Sequence, residues 1–268
     1  MFWCIGPTTI VDDENPSSAV LLRRASETNE NSKGWNTIQV YFGESPPLPP
    51  SQKWFAQVHQ DQVIVDLLGS SGYFIDLAAN DAVEFSNTLA LERDHGWKGL
   101  CIEPNPAYWY GLAANRRQCH IVGALVGGAQ SQQVPVKFRG VFGGIVGKLD
   151  DKLANRKREP QAPEQTRYTA PFRELLQKFD VPHTIDYLSL DVEGAELLIM
   201  QEFPFDSYLV KVMTVERPGA ELKALLQSKG YIFLKDLAWW GETLWAHKST
   251  GFTPDHPKIQ KIKAEERN

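Results

Sequence analysis

From Tyr73 onward, short apolar runs alternate with segments whose apolar residues recur at helical spacing. Tyr73 to Ala78 (YFIDLA) reads as a buried strand, Val83 to Asp94 as a helix, and Gly99 to Ile102 (GLCI) as a second strand. Asn105-Pro106 then opens a helix that runs to about Asn115, with Asn at the N-cap and Pro in the first turn. His120 to Val126 (HIVGALV) is a third strand, Pro171 to Phe179 a helix, and Ile185 to Leu190 (IDYLSL) a fourth strand. Ala195 to Phe203 is helical and closed by Pro204. Lys211 to Val215 (KVMTV) is a fifth strand, and Ala220 to Lys229 a helix ending at Gly230. Tyr231 to Leu234 and Thr243 to Ala246 form a closing strand pair. This alternation predicts an α/β fold, a doubly wound parallel sheet covered on both faces. Ligands of such sheets bind beyond the carboxyl ends of the strands, and the chemistry is sought there.

The flanks carry weaker patterns. Met1 to Asn36 lacks periodicity and is rich in Ser, Asn, Glu and Thr, which predicts a loosely ordered tail. Thr37 to Phe42 is strand-like, and the proline cluster Ser45 to Pro50 is an extended spacer. Trp54 to Leu68 fits one or two short helices, and the charged stretch Lys258 to Asn268 a frayed end. The organisation expected is therefore an N-terminal segment over 1–50, one domain over 51–250 and a polar tail over 251–268.

Composition narrows the function classes. With 268 residues, 42% hydrophobic and 11% aromatic, the chain fills a sizeable core, which excludes disorder throughout. A formal net charge of −5 argues against a dedicated nucleic-acid binder, which carries a basic excess to meet phosphate. Three cysteines without paired spacing argue against a zinc site or a disulfide framework, and Cys101 and Cys119, in apolar runs, read as buried thiols. No run approaches the ~20 apolar residues of a membrane helix, and the opening MFWCIG is too short for a signal-peptide core. The expectation is a soluble, cytoplasmic protein with no membrane span.

The first strand runs into Asp76-Leu77-Ala78-Ala79-Asn80-Asp81-Ala82, where small residues let a ligand approach the backbone. The second strand ends at Glu103, placed to accept hydrogen bonds from both hydroxyls of a ribose. Together these point to an adenosine-containing ligand. A dinucleotide needs a glycine-rich turn for its pyrophosphate, and this turn has no glycine. Asp76 repels phosphate and attracts an ammonium group. S-adenosylmethionine, which has an α-amino group and no phosphate, fits that chemistry.

The stretch FIDLAANDAVEFSNTLALERDHGWKGLCIEPNPAYW, followed by IDYLSLDVEGAELLIMQEFPF and VMTVERP, resembles the FkbM family of S-adenosylmethionine-dependent methyltransferases. The likeness spans roughly Gln57 to His247, and the upstream QVHQD (Gln57 to Asp61) resembles an element preceding the core in eukaryotic-type members. It implies a class I methyltransferase (Rossmann-like) fold with a seven-stranded sheet whose last strand is antiparallel. It also implies methyl transfer, usually to a hydroxyl of a sugar or secondary metabolite. One departure is plain: members commonly carry glycine where this chain has Ala78 and Ala82. If the turn demands positive φ there, alanine weakens binding and a silent member of the fold becomes conceivable.

The roles follow. Asp76 closes the methionine end of the cofactor, or else caps the following helix. Glu103 accepts from the ribose; Asn80 and Asp81 line the same turn or act as caps. Ala78 borders the cofactor, Pro104 and Asn105 follow Glu103, Asn105 as a helix cap first, and Gly123-Ala124 lies beside adenine if the resemblance holds. Asp191 and Glu193, just beyond the fourth strand, and Glu216, at the end of the fifth, form the catalytic set. Asp191 serves as base or substrate-orienting group and also borders the cofactor. The same three carboxylates suit a magnesium or calcium ion; otherwise Asp191 and Glu193 cap a helix and Glu216 pairs with Arg217. The glycines of Arg139 to Pro160 (Gly140, Gly143, Gly144, Gly147) would hinge a lid. The cations Lys148, Lys152, Arg156, Lys157 and Arg158 that follow are a solvated face or a site for an anionic acceptor. Trp239, Trp240 and Trp245 read as packing, with sugar stacking as the other reading. The partner expected is a small-molecule or glycan acceptor.

Overall fold

The computed structural model describes residues 20–24, 36–40, 53–139, 142–147 and 163–267. In chain order the elements are β1 (Val20–Arg24), β2 (Asn36–Val40), α1 (Gln60–Leu68), β3 (Tyr73–Leu77), α2 (Leu89–His95), β4 (Lys98–Ile102) and α3 (Pro106–Asn115). Next come β5 (Cys119–Gly123), β6 (Leu125–Val126), β7 (Gln133–Arg139), β8 (Phe142–Ile145), β9 (Gln165–Ala170), α4 (Phe172–Lys178) and β10 (Thr184–Leu190). The chain closes with α5 (Glu196–Gln201), β11 (Leu209–Glu216), α6 (Ala220–Ser228), β12 (Tyr231–Asp236), β13 (Glu242–His247) and α7 (Pro257–Gln260).

The main sheet runs β12-β13-β11-β10-β3-β4-β5-β1-β2. Its core, β12 through β5, is mostly parallel, and only β13 runs against both of its neighbours, β11 and β12. The chain order reverses beside β3, between β4 and β10, the switch point at which an open parallel sheet splays its loops and leaves a crevice. Strand side chains alternate between two cores. Ile75, Leu77, Leu100, Ile102 and Leu188 face the layer of α4, α5 and α6, whereas Phe74, Cys101, Ile121 and Tyr187 face α1, α2 and α3. Burial on both faces explains why these strands read as nearly continuous apolar runs.

Four expectations are corrected. The helix expected over Val83 to Asp94 begins only at Leu89. Asp81 holds the preceding segment as a turn by accepting from the N–H groups of Val83 (2.8 Å) and Glu84 (2.9 Å), and Phe85 bridges to Ala56. HIVGALV is not one strand: it breaks at Ala124, and β6 leaves to pair with β9 in a second sheet, β6-β9-β7-β8. Pro135 and the charges of β7 (QVPVKFR) hid that sheet from the hydrophobic pattern. The N-terminal segment contributes β1 antiparallel to β5, with β2 parallel to β1, where a tail was expected over the first of these.

The C-terminal segment, expected to fray, is docked. Ile259 is buried, Lys258 Nζ donates to the carbonyl of Asp66 (2.7 Å), and Glu265 exchanges backbone hydrogen bonds with Leu237 and Trp239. No helix among the described residues is long and apolar enough to cross a membrane.

Candidate active site

β3, β4, β10 and β11 end in register: Leu77 lies level with Ile102 and Leu190, and Leu190 with Val215. The residues that follow each strand therefore meet at one edge of the sheet. They line a cavity of about 410 Å³, within the ~300–1,000 Å³ typical of small-molecule sites. Ala78 and Asn80 enter from β3, Glu103, Pro104 and Asn105 from β4, Asp191 and Glu193 from β10, and Glu216 and Arg217 from β11.

The left-handed non-glycine residues Ala78, Asn80, Phe85, Glu193 and Arg217 all line this cavity. Each costs on the order of 1–2 kcal/mol of backbone strain, which persists where the surrounding structure over-determines it. Ala78, at φ 63°, thus adopts the conformation for which glycine is the easier residue; Ala82 does not. Part of the departure is therefore a real cost to this chain.

Glu103 is buried at the tip of β4. Its Oε2 accepts from the N–H of Asn80 (2.7 Å) and its Oε1 from the N–H of Asn105 (2.6 Å), which fixes the carboxylate plane. Each oxygen keeps a further lone pair for the cavity. Burial raises its pKa from 4.5 to about 7, against the lowering effect of those two amides. Beside it Asp76, 3% exposed, accepts from the hydroxyl of Thr88 (2.6 Å), and Arg116 lies 4.0 Å away.

Asp191, Glu193 and Glu216 each bring a carboxylate oxygen within 4.8 Å of the others. Glu242, at the start of β13, lies opposite Glu216 in the ladder. Burial, then the charges of Glu216, Glu242 and Glu193, push Asp191 well above the ordinary carboxylate range. Burial, then Glu216, raises Glu242 to about 8. The N–H groups of Val192 (3.3 Å) and Gly194 (3.0 Å), in the turn before the next helix, are taken by Glu196 Oε1. Asp191 and Glu193 both line the cavity. Glu216 accepts from Arg217, the one cation among the described lining residues, against seven carboxylates.

The chain matches the methyltransferase FkbM domain over residues 76–233. It belongs to the FkbM methyltransferase family. Comparison with curated proteins gives no significant match.

Within this family member, the sequence-expected residues separate into two groups. Asp76, Ala78, Asn80, Glu103, Pro104, Asn105, Asp191, Glu193 and Glu216 share the cavity. Asp81, Gly123 and Ala124 are not in its lining. Asp81 holds its own turn, and Asn105, although lining the cavity, also caps α3 by accepting from the N–H of Ala107 (3.1 Å). Gly123 lies under the indole of Trp109, where an added Cβ would come within 2.3 Å of the ring. Trp109 in turn donates to the carbonyl of Glu103 (2.8 Å), which ties that ring to the site from behind.

Several lining residues escaped sequence reasoning. Glu242 was hidden because only the antiparallel pairing of β13 with β11 carries it to the rim. Asn87 lines the cavity from the SNT segment; its Nδ2 donates to Ser189 Oγ (3.0 Å), while its buried Oδ1 has no hydrogen-bond partner among the described residues. Gln57 and Gln60 enter from the QVHQD element, whose Asp61 binds the N–H groups of Phe55 (2.7 Å) and Ala56 (3.3 Å). Trp239, 55% exposed, and Trp240 form part of the rim, whereas Trp245 is core. Of the glycine-rich segment, Gly143 lines the cavity with Phe138. Gly140 and the cations Lys148, Lys152, Arg156, Lys157 and Arg158 lie outside the described residues.

Proposed function

We propose that this chain is an S-adenosylmethionine-dependent O-methyltransferase of class I fold, acting on a hydroxyl of a glycan or small metabolite. The observation that carries the reading is Glu103, a buried carboxylate at the tip of β4 that lines the cavity, with both oxygens fixed by backbone amides. That arrangement suits a ribose diol, and it meets the acids of β10 and β11 at the switch point. When bound, the cofactor supplies a methyl group already activated on a sulfonium.

The protein's own tasks are positioning and proton removal. Glu103 accepts from the two ribose hydroxyls and Asp76 from the ammonium group. The acidic lining favours a cationic ligand and disfavours an anionic one. Asp191, whose proton affinity is raised by burial and its acidic neighbours, takes the proton of the acceptor hydroxyl. Trp239 and Phe85, both more than half exposed at the cavity, offer apolar faces to the acceptor.

A second reading is favoured by the mutual approach of Asp191, Glu193 and Glu216. A hard divalent cation held there would lower the pKa of the acceptor hydroxyl and lighten the proton-transfer task of Asp191. One experiment tests both: calorimetry with S-adenosylmethionine, then a mass-shift screen for methyl transfer to glycans and metabolite extracts, with magnesium or with chelator. Absence of cofactor binding overturns the enzyme reading. Tight binding without turnover on any acceptor identifies a silent binding module.

A further inference from the structure

Arg116 is fully buried, at 0% exposure, at the C-terminal end of α3. A guanidinium so placed is costly unless its donors are matched. Here they are. Nε donates to Glu92 Oε2 (2.8 Å), Nη1 to Ser86 Oγ (3.3 Å) and Nη2 to Thr88 Oγ1 (2.7 Å). Glu92 is held in turn by the N–H groups of Arg117 and Gln118 through its other oxygen.

The Thr88 hydroxyl has one proton. Because it accepts from Arg116, that proton is directed to Asp76 Oδ2, 2.6 Å away. The chain Glu92–Arg116–Thr88–Asp76 therefore has a fixed polarity that ends on a cavity carboxylate. Its neighbour Asn87 lines the same cavity; its amide nitrogen is anchored on Ser189, and its buried Oδ1 has no hydrogen-bond partner among the described residues. The segment Ser86-Asn87-Thr88 thus uses its outer residues to hold Arg116 and places two acceptors, Asp76 and Asn87 Oδ1, at one end of the cavity. Two fixed acceptors, one of them anionic, match two of the three donors of an ammonium group.

We infer that Arg116 and Thr88 are positioning residues that orient Asp76, so that with Asn87 it reads the ammonium group of the ligand's amino-acid end. This rests on the adenosyl-cofactor reading above. Burial raises the proton affinity of Asp76, and Arg116, then Thr88, oppose part of that rise.

The test compares two probes by calorimetry: S-adenosylhomocysteine, which has the amino-acid end, and methylthioadenosine, which has only the adenosyl part. For Thr88→Val the expected result is about tenfold weaker S-adenosylhomocysteine binding with unchanged methylthioadenosine binding. Thr88→Ser, which keeps the hydroxyl, restores the former. Should Thr88→Val not fold, Arg116→Lys keeps a cation but cannot bridge Glu92 and Thr88 together, and it gives the same selective loss. Equal weakening of both probes in a folded variant, or no change in either, overturns the positioning role. If wild-type protein binds neither probe, the cofactor reading itself falls, a result distinct from the other two.

Discussion

If Glu103 holds the ribose as proposed, cofactor affinity depends on pH with a sign and a size that follow from its burial. Its pKa in the folded protein is raised from 4.5 to about 7, so the folded state holds a proton that the unfolded chain releases near 4.5. The associated stability is fully present below pH 4.5 and is lost as the pH rises to 7. The difference amounts to about 3 kcal/mol at 1.36 kcal/mol per pKa unit. The ribose hydroxyls donate to the ionised form, so binding must first displace that proton below pH 7. Affinity is then expected to be level above pH 7 and to fall by up to about tenfold per pH unit below it. Methylthioadenosine is the probe of choice because it carries no ammonium or sulfonium to perturb the other carboxylates. Calorimetry between pH 5.5 and 8 reads the dependence, and Glu103→Gln removes it while weakening binding by ~1–3 kcal/mol. A flat profile in the wild type, or the same slope in the variant, would refute the assignment.

Three further outcomes are expected. Ala78→Gly relieves a left-handed alanine and raises thermal stability by ~1 kcal/mol without loss of cofactor affinity; destabilisation in a melting curve would contradict this. Gly123→Ala drives a methyl group into the Trp109 ring and costs ~1–3 kcal/mol in urea unfolding, with Glu103 disturbed through the Trp109 hydrogen bond. Asp191→Asn retains cofactor binding but loses most turnover once an acceptor is in hand; wild-type turnover in that variant would remove Asp191 from the chemistry.

The strands of the parallel core were legible because burial on both faces leaves runs such as YFIDLA and IDYLSL with little polar interruption. Their ends were legible too, since the residue after each run is where the sheet delivers ligands. Elements whose stability comes from tertiary pairing were not. β7 carries Pro135 and charges, and β6 is two residues long, so neither has a period of its own. Val83 and Phe85 read in sequence as part of the following helix but are fixed as a turn by Asp81 and by the bridge to Ala56, a tertiary override of local pattern. Within the site, Asp76 and Glu103 announced themselves by position. Glu242, Arg116 and Asn87 depended on which strand lies beside which and on how the loop before α2 folds back. SNT was visible as a motif, yet its meaning lay in partners 12 to 102 residues away.

The unfavourable features of this protein converge on one place. Among the described residues, seven carboxylates, several left-handed residues and an amide oxygen without a hydrogen-bond partner border a single cavity, whereas the sheet packs apolar cores on both faces. A fold under selection for stability alone sheds such costs one substitution at a time. Their joint presence around the switch point fits a ligand that compensates them when bound. Like charges that raise one another's proton affinity are relieved by a positive charge placed among them, a diol satisfies the fixed lone pairs of Glu103, and an ammonium group satisfies Asp76 and Asn87. Sulfonium, ribose and α-amino group occur together in the proposed cofactor, and it is the complementarity to all three, more than any single contact, that supports that proposal.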